Sequence, residues 1–224
     1  MKTDTWTGLH LGIEFNDKRE ANAPCMDKQV ERLIKSNYKY DDKAVCNNPF
    51  YFTILMAQVK CFGGEKAPAM FRYDDVSQVK ASGKQTSPKK YRENVKKSVN
   101  KLLARIAEVR PNLILIAGRM AFDEFTNQVR PKLEIQKGLP PIIHVVRVLN
   151  PSSQGHFGLR KDDCLKRYEA INGRAKLEQQ AQKRTQSGTP MTSVLLWEMT
   201  VTGKEDCKFS LTSLPPPSSK TGKP

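Results

Sequence analysis

Four polar stretches hold the side chains with which this chain could do chemistry, and each directly follows an apolar run. They are Glu14-Phe15-Asn16-Asp17, then Gln58 and Lys60 with the Gly63-Gly64 pair, then Gly118-Arg119, and finally Asn150-Pro151-Ser152-Ser153-Gln154-Gly155-His156-Phe157. In an open parallel sheet the ligand site lies beyond the carboxyl ends of the strands, so residues that follow buried strands are the ones that matter. None of the stretches forms a Walker phosphate loop or a GxGxxG turn, which removes the motifs of nucleotide hydrolysis and of dinucleotide redox chemistry. The three histidines make no HExxH or paired metal spacing: His144 sits inside an apolar strand as a core residue, and His156 lies in a Gly-flanked loop. Five cysteines, Cys25, Cys46, Cys61, Cys164 and Cys207, contain no CxxC pair and read as free thiols rather than a zinc ribbon or a disulfide framework. No metal and no organic cofactor are expected.

The elements that would position these stretches follow from apolar patterning. Residues 9–15 (LHLGIEF) read as a buried strand, and residues 27–36 (DKQVERLIKS) as a short amphipathic helix with Val30, Leu33 and Ile34 on one face. Residues 50–62 (FYFTILMAQVKCF), rich in aromatic and β-branched side chains and closed by Gly63-Gly64, predict a second buried strand, and residues 65–88 a long loop. The clearest helix covers residues 91–110, where Val95, Val99, Leu102, Leu103, Ile106 and Val109 make one stripe before Pro111. Buried strands follow at 112–117 (NLILIA) and 142–149 (IIHVVRVL), with a short helix carrying Met120, Ala121, Phe122 and Phe125 between them. Residues 160–184 are helical and polar, broken at Asn172-Gly173, and residues 191–201 add one strand before a Pro- and Ser-rich tail, Ser210 to Pro224, expected to be disordered. Strands buried on both faces and separated by helices describe a three-layer α/β/α sandwich around a mostly parallel four-stranded sheet. The expected domain spans residues 1–185, with residues 186–224 as an extension.

The chain has 224 residues, 38% of them hydrophobic, enough for one generous domain with appendages. No run approaches the ~20 apolar residues of a membrane span, and the start lacks the pattern of a signal peptide. A soluble intracellular protein of the cytoplasm or nucleus, acting as a monomer, is the expectation. Its 38 Lys and Arg against 23 Asp and Glu leave a net charge of +15, which makes a polyanion the expected partner, nucleic acid before membrane.

Three passages together resemble the uracil-DNA glycosylase superfamily: Leu11-Gly12-Ile13-Glu14-Phe15-Asn16, the stretch from Pro111 through Gly118-Arg119-Met120-Ala121, and His144 through Leu149-Asn150-Pro151-Ser152-Ser153. The Asn-Pro-Ser form of the last is most similar to the mismatch-specific and thymine-DNA glycosylase branch. Cys46 and Cys61 lack the close upstream cysteine pair of the iron-sulfur branch, so no cluster is implied. The resemblance implies hydrolysis of an N-glycosidic bond in DNA, duplex or single-stranded. Such a site needs a group that orients water against the developing sugar cation and a donor for the departing base. The resemblance assigns these roles to Glu14 and Asn150, base stacking to Phe15 and base contact to Gln58. DNA contacts fall to Ser152, Ser153, Gln154, His156, Phe157, Arg160 and Lys161, with Gln154, His156 and Phe157 as wedge candidates for an unstacked nucleotide. Lys84, Lys89, Lys90, Arg92, Lys96 and Lys97 make a second basic cluster. Glu14 stands where the superfamily has Asp or Asn, and Phe15 where it has Pro. A binding module that keeps the fold without the chemistry is therefore the alternative.

Overall fold

The computed structural model describes residues 7–16, 51–64, 67–81, 87–151, 161–185, 192–202 and 208–215. The expected helix at 27–36, the loop from Ser152 to Arg160 and the end of the tail lie outside them. In chain order the elements are β1 (Gly8–Asn16), α1 (Tyr51–Gly63), α2 (Ala67–Met70), β2 (Phe71–Ala81) and α3 (Pro88–Val109). Then come β3 (Leu113–Ala117), α4 (Arg119–Glu124), a π-helical segment (Phe125–Val129), α5 (Arg130–Leu133), β4 (Ile142–Val148), α6 (Lys161–Ala170), α7 (Gly173–Thr185), β5 (Ser193–Thr202) and β6 (Lys208–Ser213).

The strands form one sheet in the order β2-β1-β3-β4-β5-β6. The first five strands are mutually parallel and β6 pairs antiparallel to β5. Helices cover both faces. One buried cluster joins α1, α6 and α7 to Leu113, Leu115, Val146, Val148 and Trp197. The other joins α3, α4 and the π-helical segment to Leu9, Leu11, Ile114, Ile116 and Val145. Alternation along β1, β3 and β4 thus sends successive side chains into opposite apolar layers, which is why these strands read as unbroken apolar runs. The α/β class is as expected.

The sheet has six strands rather than four, and two sequence expectations fail in the same region. Residues 50–62 are not a strand: Tyr51–Gly63 is the helix α1. Consecutive residues Ile54 to Val59 are all buried, because α1 lies between the sheet and α6, and a helix apolar on every side carries no periodic signal. Gly64, at φ 73°, ends it, its N–H bonding to Lys60 O at 2.8 Å. The second strand is instead Phe71–Ala81, inside the expected loop. Among the described residues it pairs only with β1, and charged residues such as Arg72 and Asp74 interrupt its apolar positions. The tail also contributes order, since Ser210 to Ser213 belong to β6.

The long helix α3 matches its sequence. Ser87 caps it with its hydroxyl on Lys90 N–H, Pro88 fills the first turn, and Arg110 ends it in a left-handed conformation (φ 48°) before Pro111. Tyr91, Val95, Val99, Leu102 and Ile106 form its buried stripe. Asn172, at φ 48°, makes the expected break between α6 and α7.

Candidate functional site

The chain runs from β1 outward to β2 and then returns to β3 on the other side of β1, so the direction of winding reverses between β1 and β3. In doubly wound sheets the crevice beyond the carboxyl ends at such a reversal is where ligands bind. The register fixes what stands there. Leu11, Ile116 and Arg147 are paired across β1, β3 and β4. Three residues further on are Glu14, Arg119 and Asn150. By then β3 has ended at Gly118, leaving the β1 and β4 extensions on either side of a gap two strand spacings wide, roughly 10 Å.

Gly118 makes this gap. Its φ of 84° turns the chain from strand into α4, and its N–H donates to Val148 O at 2.9 Å, tying the end of β3 to the end of β4. On the other flank β1 runs on as far as Asn16, and its pairing with β2 slips between Glu14 (opposite Ser77) and Asn16 (opposite Ala81). Such irregularities re-aim residues at the rims of sheets. Gly12 permits the close approach of Asp75, whose carboxylate occupies the space a Cβ would take.

Of the candidates from sequence, Glu14 and Phe15 are placed by their backbone at the end of β1, and Asn150 is half-buried directly after β4, engaged with its neighbours, beside the buried Pro151. Gln58 lies beneath this row. It is fully buried on α1, donating to Leu149 O at 2.7 Å and to Tyr168 Oη at 2.9 Å. Ser152, Ser153, Gln154, His156, Phe157 and Arg160 fall outside the described residues, and Lys161 is described only as the backbone start of α6.

Two buried groups that sequence did not single out support the row from below. His10 sits mid-strand on the α1 face, 6.0 Å ring to ring from Tyr73. Burial pushes its imidazole down to about 4, with the neighbouring Gln58 amide opposing the shift. His10 Nε2 and Gln58 Oε1 are the atoms of this pair without a well-formed hydrogen bond. Tyr168, the hydroxyl partner of Gln58, is anchored edge-on against Phe209 at 4.9 Å. Thus α1, α6 and β6 converge under Leu149-Asn150. Neither residue had a local signal: His10 sits within an apolar strand and Tyr168 within a polar helix.

On the α3 face of this end of the sheet stand two guanidinium groups, Arg119 and Arg147, each with a carboxylate partner. Arg147 pairs with Glu198, and burial first, then the nearby Arg119, pushes its guanidinium down from the usual value. Arg119 was legible as the residue after a glycine that ends a buried strand. Cys61 is an inert thiol, pushed up to about 11 by burial. Among the described residues no group of three or more His, Cys, Asp or Glu side chains assembles to hold a metal, and no helix is long and apolar enough to cross a membrane. No protein-family model and no curated protein matches this chain.

Proposed function

We propose that this chain is a DNA-binding protein of the uracil-DNA glycosylase superfamily that acts, as a monomer, as a monofunctional glycosylase on uracil or a related damaged or mismatched base. The observation that supports the reading is that β1 and β4 flank β3, whose end at Gly118 comes where Glu14 and Asn150 follow by three residues the positions paired with Ile116. A carboxylate and a carboxamide are the two groups the reaction needs. In this mechanism Glu14 orients a water, whose oxygen bonds to the sugar C1′ as the C1′–N bond breaks. The bond's electron pair leaves with the base, while Asn150 donates a hydrogen bond to the base oxygen and the water's proton passes to Glu14. Phe15 stacks on the base, and the loop of Ser152, Ser153, Gln154, His156 and Phe157, followed by Arg160 and Lys161, holds and wedges the strand. Gln58, buried beneath Asn150, contributes by holding Leu149 O, the carbonyl immediately before it.

The net charge of +15 supports a polyanionic partner, and the solvent face of α3 supports it locally. Lys89, Lys90, Arg92, Lys96, Lys97 and Lys101 are all exposed there. The departures at Glu14 and Phe15 favour a second reading, a nucleic-acid-binding or protein-interaction module without hydrolysis. Alkali cleavage of labelled oligonucleotides carrying single U:A, U:G, T:G or hypoxanthine sites decides between them. Base release by the wild type that is lost in both Glu14→Gln and Asn150→Ala supports the enzyme. DNA binding without release, equal in all three proteins, selects the module.

A further inference from the structure

Five lysines of α3, Lys89, Lys90, Lys96, Lys97 and Lys101, are exposed to solvent. At about 3.6 residues per turn they fall within roughly 140° of the helix circumference, opposite the buried stripe of Tyr91, Val95, Val99, Leu102 and Ile106, and they extend over about 18 Å of its axis. We propose that this face is a docking surface for the phosphate backbone of duplex DNA, bound without regard to base sequence and separate from the gap at Gly118. The proposal rests on the nucleic-acid part of the reading above and not on base release.

The charge of the face is uncompensated. Among the described residues none of the five lysines forms an ion pair, and the segment from Lys89 to Lys101 contains a single carboxylate, Glu93. The two arginines of α3 are placed differently: Arg92 Nε lies 2.9 Å from Glu124, and Arg105 lies 3.0 Å from Glu108 and 3.7 Å from Asp74. Lys97 and Lys101 are like charges four residues apart, a spacing that destabilises a helix by itself. A polyanion laid along the face removes that repulsion.

The residue types select the polyanion. Duplex DNA carries one phosphate per strand about every 3.4 Å of its axis, so about 18 Å of helix runs beside roughly five phosphates of one strand. Lysine suits a backbone, because its ammonium is a point charge on a flexible stem, whereas base edges are read by bidentate Arg, Asn or Gln. On α3 both arginines are engaged with carboxylates and Asn94 is buried, so Asn100 is the exposed carboxamide. Single strands are held by stacking on aromatic side chains, and Tyr91, the aromatic residue of α3, is fully buried. Docking on a lipid surface uses large apolar side chains, and among the described residues the exposed one is Ile135, outside α3.

Placement follows from the topology. Because β2 and β3 are both parallel to β1, α3 runs back from the carboxyl to the amino ends of the strands, packed on β2. Lys89 and Lys90 therefore lie towards the end of the sheet that holds the gap, and Lys101 away from it.

The test is fluorescence anisotropy of the full chain with two labelled duplexes of unrelated sequence, a single strand, polyglutamate and phosphatidylserine vesicles serving as competitors. Both duplexes should bind equally and more tightly than any competitor. Lys89→Gln with Lys90→Gln, and Lys96→Gln with Lys97→Gln, should each weaken duplex binding at least about tenfold at low salt and lower the slope of log K against log salt by about 1.8, roughly 0.9 for each lysine. Glutamine keeps the helix propensity of lysine, so α3 should stay folded. Lys176→Gln with Lys208→Gln, on α7 and β6, removes the same charge from the other layer and the far edge of the sheet and should change binding less than about twofold. Weakening by the α3 pairs no greater than by this control overturns the proposal, since net charge and not the face would then hold the DNA. Tighter binding of the single strand, polyglutamate or vesicles overturns it too, as does absence of duplex binding by the wild type. Base release, scored separately, decides the glycosylase reading: release with α3 variants that bind like the control removes only the docking face, and face-dependent binding without release removes only the enzyme.

Discussion

Leu11 on β1 and Arg147 on β4 pair with Ile116 of β3 from either side, and Glu14 and Asn150 each follow three residues later, where β3 has given way to α4. The equal offsets bring the backbone of both positions to the same end of the sheet. Their separation in sequence is bridged entirely by sheet register.

From that relationship, Glu14→Gln should lower base release by about 10²- to 10⁴-fold and Asn150→Ala by about 10²- to 10³-fold, the usual worth of one acid–base group and one charge-stabilising donor. Single-turnover cleavage of a uracil-containing duplex measures both. Loss in only one variant would separate the two roles.

Gly118→Ala should cost about 1–2 kcal/mol in urea unfolding, because φ 84° is a region that side chains enter only with strain. The same change shifts the start of α4, so release should fall beyond what the stability loss explains.

Gln58→Leu removes the donor to Leu149 O and Tyr168 Oη while roughly keeping volume. Depriving both oxygens of their partner in the interior should cost about 2–4 kcal/mol. An unfolding midpoint equal to that of the wild type would show that Gln58 does not hold the β4 end.

Acid should destabilise the fold through two histidines. Burial lowers His10 and His144 from 6.5 to about 4, and His144 Nδ1 accepts from Trp197 Nε1 at 3.2 Å, a bond that needs the neutral ring. The unfolded chain therefore binds more protons than the folded one between those values. Stability is fully present above pH 6.5 and declines as pH falls through 6.5 toward 4, by about 3 kcal/mol for each residue. Urea midpoints from pH 7.5 to 4.5 should show this slope, and His144→Gln should flatten it by roughly half.

Replacing Lys96 and Lys97 together by Gln should weaken DNA binding at low salt. It should also reduce the dependence of log K on log salt by about 0.7–0.9 for each phosphate that the helix no longer neutralises. Fluorescence anisotropy at several salt concentrations gives the slope. An unchanged slope would place the DNA elsewhere than α3.

What the amino-acid sequence determined by itself is local and periodic. The stripe of α3 and its stop before Pro111, the all-apolar runs of β3 and β4, the breaks at Gly118 and Asn172, and the positions of Glu14 and Asn150 after apolar runs were legible because each is written in neighbouring residues. Only the tertiary structure decided that Tyr51–Gly63 is a helix, since burial on every side erased its period. It also decided that Phe71–Ala81 is a strand, since charged residues such as Arg72 and Asp74 mask its alternation. The same holds for the site. That Glu14 and Asn150 come to the same end of the sheet, and that His10, Gln58 and Tyr168 are buried on its α1 face, depends on strand order and register, which arise from packing between segments far apart in the chain.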